Sequence, residues 1–270
     1  MTAEPAVPLV PRRRVNASAH GALRSARRGR GGDLVGTRPY QHGDDVRRID
    51  HRASARLSSA SGRDELVVRE HFAENATQVL FVRDRRPSMA LFPNWSPWLC
   101  KPYACGSAGR VLSASARRAR CVFREEDNDL AHALEALAIG RLGRGSFVFV
   151  ISDFLALPPE DVWREAVERG WDIVPVVLQD PVWEQSFPEA DGVVLPIWDP
   201  DARQVRPTLL TRRECAARRM ANEERFLALS AQFDRLGLDT IQLAHHDDAS
   251  VWRGFHEWAE ARSVGVRGRL

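Results

Sequence analysis

The run Phe147-Val148-Phe149-Val150-Ile151-Ser152-Asp153 carries five large apolar side chains in unbroken succession and leaves on a carboxylate. A strand with one solvated face would alternate. A run this short and continuous therefore predicts a strand buried on both faces of a parallel sheet, with Asp153 at its exit. Parallel neighbours need long crossovers, usually helices, so the flanking chain must alternate strand and helix.

That alternation is visible in both directions. Val79 to Val82 is a first apolar strand ending in Arg83-Asp84. A small-residue stretch to about Ala116 reads as a helix despite Gly106 and Gly109, followed by a strand over 120–124. A helix is predicted from Asp129, with Leu130, Leu134 and Leu137 at helical spacing and Asn128 or Asp129 as cap. Pro158, Pro159, Glu160 and Asp161 open the next helix, its acids in the first turn as the macrodipole prefers, and Gly170 stops it. Ile173 to Leu178 is a strand. Val193 to Ile197 and Thr208 to Leu210 form a β pair around Asp199-Pro200-Asp201. A long helix over 212–236 presents Phe226, Leu229, Phe233 and Leu236 and ends at Gly237. Strand Thr240 to Leu243 and a helix capped near Asp248, with Val251, Phe255 and Trp258 inward, close the chain. The expectation is an α/β fold, a mostly parallel sheet with helices on both faces, over residues 77–270. Asp84 and Asp153 both stand at the carboxyl ends of strands, where open α/β sheets place their sites, and they converge if those two strands are adjacent.

Composition removes several function classes. The 270 residues are 44 % apolar, enough for one large core. The longest apolar stretch, Phe147 to Leu157, is interrupted by Asp153, and no apolar segment follows the N-terminal arginines, so a cytoplasmic protein without a membrane span is expected. Cys100, Cys105, Cys121 and Cys215 lack paired spacing and read as reduced thiols. The net charge is +3, and of 39 basic residues only Lys101 is lysine, which reads as a coding bias. Arg12, Arg13, Arg14, Arg24, Arg27, Arg28 and Arg30 stand without an acidic neighbour. Such an arm can bind nucleic acid or an acidic protein face, yet no aromatic is interleaved for base stacking. Its Pro, Ser, Gly and Arg content predicts a solvated arm over 1–30.

Between arm and sheet, residues 31–76 hold a dense motif, Arg38-Pro39-Tyr40-Gln41-His42-Gly43-Asp44-Asp45-Val46-Arg47-Arg48-Ile49-Asp50, continuing through His51 to Ser54-Ala55-Arg56. Gly43 suits a positive-φ turn, Asp44 or Asp45 can cap a short helical turn carrying Arg47 and Arg48, and Asp50 and Arg56 have partners nearby. Matched carboxylates and guanidiniums predict a structural knot rather than a catalytic one.

The motif resembles the hallmark of the bacterial domain of unknown function 58 family, approximately Arg-x-Tyr-x-x-Gly-Asp-Asp-x-Arg-x-Ile-Asp-Trp-x-x-Ser-Ala-Arg. Here His51 stands for its Trp, and the pattern continues into Leu66-Val67-Val68-Arg69-Glu70. The resemblance is sharp at the motif and rests on order and length elsewhere. It implies a von Willebrand A-like (Rossmann-like) domain after the motif-bearing segment, and as partner a MoxR-type AAA+ ATPase or its client protein.

In intact domains of that kind the first strand ends in Asp-x-Ser-x-Ser, and a Thr and a further Asp complete a Mg²⁺ site. This chain reads Asp84-Arg85-Arg86-Pro87-Ser88, so Asp84, Ser88 and Asp153 match while Arg86 replaces a Ser ligand. No Thr occurs from 78 to 207. Asn128 and Asp129 are the nearest stand-ins, in an expected acidic loop with Glu125, Glu126 and Asp127. Arg86 is a fixed cation beside Asp84 and Asp153, which predicts a degenerate site without cofactor, with Mg²⁺ as the alternative.

Three readings follow. In the first, a non-enzymatic module docks proteins through the rim of Asp84, Arg86, Ser88, Asp129 and Asp153. The second is a metal-dependent hydrolase using Asp84 and Asp153, with Asp44 and Asp45, although no G-x-S-x-G, H-E-x-x-H or P-loop pattern appears and His245-His246 reads as a solvated loop. The third is nucleic-acid binding through the basic arm, the least expected of the three. Trp95, Trp98 and Tyr103 are expected to plug the core beside the site, the alternative being an exposed contact surface.

Overall fold

The computed structural model describes residues 6–12, 28–40, 49–62, 66–72, 78–91, 99–128, 142–143, 145–199, 202 and 204–267. Nine strands are present among them: β1 (Arg28–Pro39), β2 (Val67–Phe72), β3 (Gln78–Asp84), β4 (Val122–Asn128), β5 (Phe147–Ser152), β6 (Asp172–Leu178), β7 (Val193–Asp199), β8 (Gln204–Leu210) and β9 (Ile241–Leu243). Five α-helices accompany them: α1 (His51–Ser61), α2 (Lys101–Arg118), α3 (Glu160–Glu168), α4 (Arg212–Arg235) and α5 (Asp248–Arg267). A 3-10 turn spans Pro87–Ala90.

The main sheet has the order β4-β3-β5-β6-β9, and every pairing in it is parallel. The expected α/β architecture is therefore present, wholly parallel in this sheet. All six residues of β5 are buried, as its unbroken apolar run requires. Alternation along each strand divides the core into two layers. Phe81, Phe149, Ile151 and Val176 face α2 and α5, while Leu80, Val82, Val148 and Val150 face α3 and α4. Phe149 lies 5.4 Å from the Trp258 ring and 6.0 Å from Phe255. Burial of a side chain of this kind contributes about 1.5–3 kcal/mol.

Helix α2 needs a glycine at Gly109 because the sheet leaves no room there for a larger residue. A Cβ on Gly109 would stand 2.9 Å from Glu125 Oε1 and 3.4 Å from Phe81 Cε1. Strand β4 is longer than expected and runs through the acidic stretch assigned to a loop. It is an edge strand, and its charged residues serve there as a solvated rim, with Arg83 Nε donating to Asp127 Oδ1 at 2.7 Å. Gly170 and Gly237, with φ of 85° and 60°, close α3 and α4 as expected. The expected helix after Asp129 lies outside the described residues.

The basic arm needs a correction. Val7 and Leu9 are buried in the α2/α5 layer, Val7 N–H donates to Ser115 Oγ at 2.9 Å, and Arg12 N–H donates to Asp172 Oδ2 at 2.9 Å. Residues 6–12 thus pack as part of the domain, because two alternating apolar side chains outweigh the polar composition around them. Arg262 secures the same corner. Its buried guanidinium pairs with both oxygens of Asp172 at 2.9 Å and with Asp239 at 2.9 Å, and lies 4.5 Å over Trp258.

The motif segment builds an antiparallel β1-β2 pair with α1 between its strands in sequence. Asp50 is the N-cap of α1, its Oδ1 accepting from Arg52 and Ala53 N–H at 3.1 and 3.0 Å. Such a cap contributes about 1 kcal/mol. Ser54 is buried and its Oγ accepts from Val67 N–H at 2.9 Å, Ile49 bridges Val68, and Tyr40 N–H donates to Leu66 O at 2.8 Å. These bonds dock α1 on β2, so this part of the motif is scaffold. Ala55 and Arg56 are exposed on α1. Arg38 belongs to β1. Gly43, Asp44, Asp45 and Arg47 lie outside the described residues.

Candidate functional site

β3 and β5 are adjacent and parallel, so their carboxyl ends bring Asp84, Ser152 and Asp153 together. The chain leaves β5 through Phe154, a non-glycine residue at φ 47°. That conformation costs about 1–2 kcal/mol. It persists because the Phe154 ring is fully buried against Trp163 and Phe233, with centroids 5.9 and 5.2 Å away. The backward turn lets Ser152 Oγ accept from Phe154 N–H at 2.9 Å while donating to Asp84 Oδ2 at 2.7 Å.

Arg86 closes the cluster. Its N–H donates to Asp84 Oδ1 at 3.0 Å and its Nε to Asp84 Oδ2 at 2.8 Å. Nη2 stands 2.7 Å from Asp84 Oδ2, 2.9 Å from Ser152 Oγ and 3.1 Å from Asp153 Oδ1. One nitrogen therefore occupies the position from which a cation would touch all three oxygens. These residues do not fit a divalent metal as they stand, since the guanidinium fills that position and would repel it. Among the described residues, no three His, Cys, Asp or Glu side chains are grouped to hold a metal ion.

On the far side of Asp153 lies a residue that sequence reasoning passed over. Lys101, the first residue of α2, is fully buried, and its Nζ donates to Asp153 Oδ2 at 3.0 Å and Glu184 Oε1 at 2.5 Å. A cation at a helix N-terminus opposes the macrodipole, so the carboxylates hold it there. Lysine suits the place because its compact ammonium fits between two oxygens where a planar guanidinium needs a wider slot. Its being the sole lysine among 39 basic residues was the available signal. Glu184 is fixed in turn by Asp180 N–H, which donates to its Oε2 at 2.8 Å.

The two carboxyls sharing Lys101 shift in opposite directions. Burial pushes Asp153 up, but Lys101 and hydrogen bonds that include the Ser88 hydroxyl more than offset it and hold its pKa below the usual range. Glu184 is raised by burial, which Lys101 opposes incompletely while Asp153 adds repulsion. The fold thus binds a proton at Glu184 more tightly than the unfolded chain does. Its contribution to stability is present below the ordinary value of 4.5 and declines as pH rises through the raised pKa. Asp153 acts oppositely, its contribution being lost only as pH falls through a value below 3.8. Glu184→Gln is expected to flatten the decline in stability above about pH 5. Chemical denaturation of both chains across that range checks this, and parallel curves reject it.

The remaining expected site residues divide. Ser88 is half-buried on the 3-10 turn beside Asp153, as expected. Asn128 ends β4 opposite Asp84 in register. Asp129, Trp95 and Trp98 lie outside the described residues. Tyr103 is 39 % exposed, with Arg110 over its ring and His246 at its edge, so it does not plug the core. His246 is bound rather than solvated, its Nδ1 accepting from Cys100 N–H at 3.3 Å. All four cysteines are unpaired, and burial pushes the Cys105 thiol up to about 12, so it is no nucleophile. No helix among the described residues is long and apolar enough to cross a membrane.

Residues 36–93 match the model of a family described as "Protein of unknown function DUF58". The match takes in the α1 motif and also Asp84, Arg86 and Ser88. No curated protein matches the chain. Among solved structures it is similar to conserved hypothetical protein BatB from Bacteroides thetaiotaomicron, at 12 % identity and TM-score 0.33, covering 68 % of this chain and 99 % of that one. It is also similar to phospholipase A1 from Streptomyces albidoflavus NA297, at 10 % identity and TM-score 0.36, covering 69 % and 99 %. Neither likeness bears on function.

Proposed function

We propose that this chain is a non-enzymatic protein-interaction module of von Willebrand A-like type that docks a partner through the strand-end rim around Arg86 and Ser88, which the buried Asp84 and Asp153 hold in place from beneath. The observation that carries the reading is the placement of Arg86 Nη2 within 3.1 Å of Asp84, Ser152 and Asp153. An internal guanidinium there keeps the strand ends neutralised and ordered without a metal. The rim stays shaped for contact, and its carboxylates are held by hydrogen bonds rather than poised to move protons. The partner class, a MoxR-type AAA+ ATPase or its client, rests on the resemblance of the motif segment. The hydrolase reading gains nothing from the cluster, whose Asp84, Ser152 and Asp153 are buried and bonded to one another's partners rather than open to a substrate.

Binding of a purified MoxR-type ATPase tests this, with substitutions beside the buried cluster rather than in it. Arg85 is 70 % exposed in its side chain and Ala90 is exposed at the end of the 3-10 turn. Arg85→Glu and Ala90→Glu are expected to weaken binding at least about tenfold, or about 1.4 kcal/mol, with the unfolding midpoint unchanged. Undiminished binding by both variants, or ester hydrolysis that Asp153→Asn removes without unfolding, overturns the proposal.

A further inference from the structure

The β7-β8 hairpin has one face with no partner among the described residues. Its register pairs Val194 with Leu209, Pro196 with Pro207 and Trp198 with Val205, and strand alternation places all six on the same side. All six are exposed, Val194 by 59 %, Trp198 by 46 %, Val205 by 57 % and Leu209 by 55 %. The opposite face stands on a small core of Phe187, Leu210 and Cys215, against which Leu195 and Ile197 pack. A contiguous apolar patch without a single charge marks an interaction surface.

The prolines say how it is used. Neither has an N–H, so Pro196 and Pro207 form a non-hydrogen-bonded pair, with the missing donors on the two outer edges of the hairpin. Strand addition is blocked at the centre of each edge, which leaves the face for contact. A lipid surface is a poor match, because the face itself carries no arginine or lysine to meet anionic headgroups. Arg206 stands on the opposite face, where it pairs with Asp199 at 3.6 Å, and Arg212 pairs with Asp191 at 3.0 Å.

We infer that the β7-β8 face joins two copies of this chain about a two-fold axis. An isologous contact sets each patch against itself, so a charge inside it would meet its like, and here there is none. The strands are nearly self-complementary, since Val, Pro and Trp along β7 face Val, Pro and Leu along β8. The patch offers about 450 Å² a side, so a pair buries about 900 Å², under the about 1,000 Å² of a stable interface and in the range of weak, transient ones. The dimer is accordingly weak, with a dissociation constant in the micromolar range.

Sedimentation velocity of the full chain from about 1 to about 200 µM is expected to show a monomer-dimer equilibrium. Trp198→Glu and Val205→Lys are each expected to weaken it at least about tenfold, with unchanged circular dichroism and unfolding midpoint. A monomer throughout the range, a dimer unaffected by both substitutions, or cosedimentation with phosphatidylcholine and phosphatidylserine vesicles in place of self-association overturns the inference. These outcomes are separate from ATPase binding, so each proposal can fail alone.

Discussion

Lys101→Met is expected to lower the free energy of unfolding by about 3–5 kcal/mol, or roughly 10 °C in Tm for a chain of this size. The lysine and Asp153 have fully buried side chains, and Glu184 is 11 % exposed. Methionine fills the volume of the stem but leaves Asp153 with Arg86 alone and Glu184 without a cation on Oε1. Protonation of Glu184, whose pKa is already raised, relieves part of the cost. Adding Glu184→Gln to Lys101→Met should therefore recover a measurable part of the loss, a coupling that a double-mutant cycle reads directly. Lys101→Arg is expected not to rescue, since the guanidinium must be seated where Nζ has only 3.0 and 2.5 Å to its acceptors. Chemical denaturation checks all three variants. A loss under about 1 kcal/mol for Lys101→Met would falsify the view that this lysine holds the carboxyl end of the sheet.

Arg86→Ser has the second large effect and a different signature. Without metal the variant is expected to be less stable by about 3 kcal/mol. Asp84 then loses its cation, and Asp84 and Asp153 face each other across Ser152. With Mg²⁺ the same variant should regain stability, because a hydroxyl joins the oxygens of Asp84, Ser88 and Asp153 and the repelling charge is gone. Linkage makes the recovery about 2.7 kcal/mol at a Mg²⁺ concentration 100 times the dissociation constant. The natural chain should show no such shift. Calorimetric titration of both chains with Mg²⁺ and Mn²⁺ decides the matter, and saturable binding by the natural chain tighter than about 100 µM rules out Arg86 as a substitute for the ion.

Much of the fold was legible because its signals are local. Five consecutive apolar residues in β5 require burial on both faces, and Gly170 and Gly237 end helices. The places of Asp84 and Asp153 at strand exits were legible too, while their convergence needed the adjacency of β3 and β5. Arg86 as the internal cation was readable from its place in the Asp84 to Ser88 run. The misses were of another kind. Val7 and Leu9 sit in a polar stretch whose average composition hides two buried side chains, and β4 carries acids that a strand tolerates only at an edge.

By itself, then, the sequence determined the alternation of strands and helices, the burial of the central strands and the presence of a guanidinium beside Asp84. Each depends on residues within a few positions of one another, where backbone geometry alone sets the spacing. Only the tertiary structure decided that Lys101 lies between Asp153 and Glu184, 52 and 83 residues away in sequence. It also decided that Val7 fills the core and that Val194, Trp198, Val205 and Leu209 stand exposed on one face of the β7-β8 hairpin. An ion pair or a packed layer between distant segments is fixed by how the sheet brings strand ends and helix starts to one place. Neither composition nor periodicity carries that information.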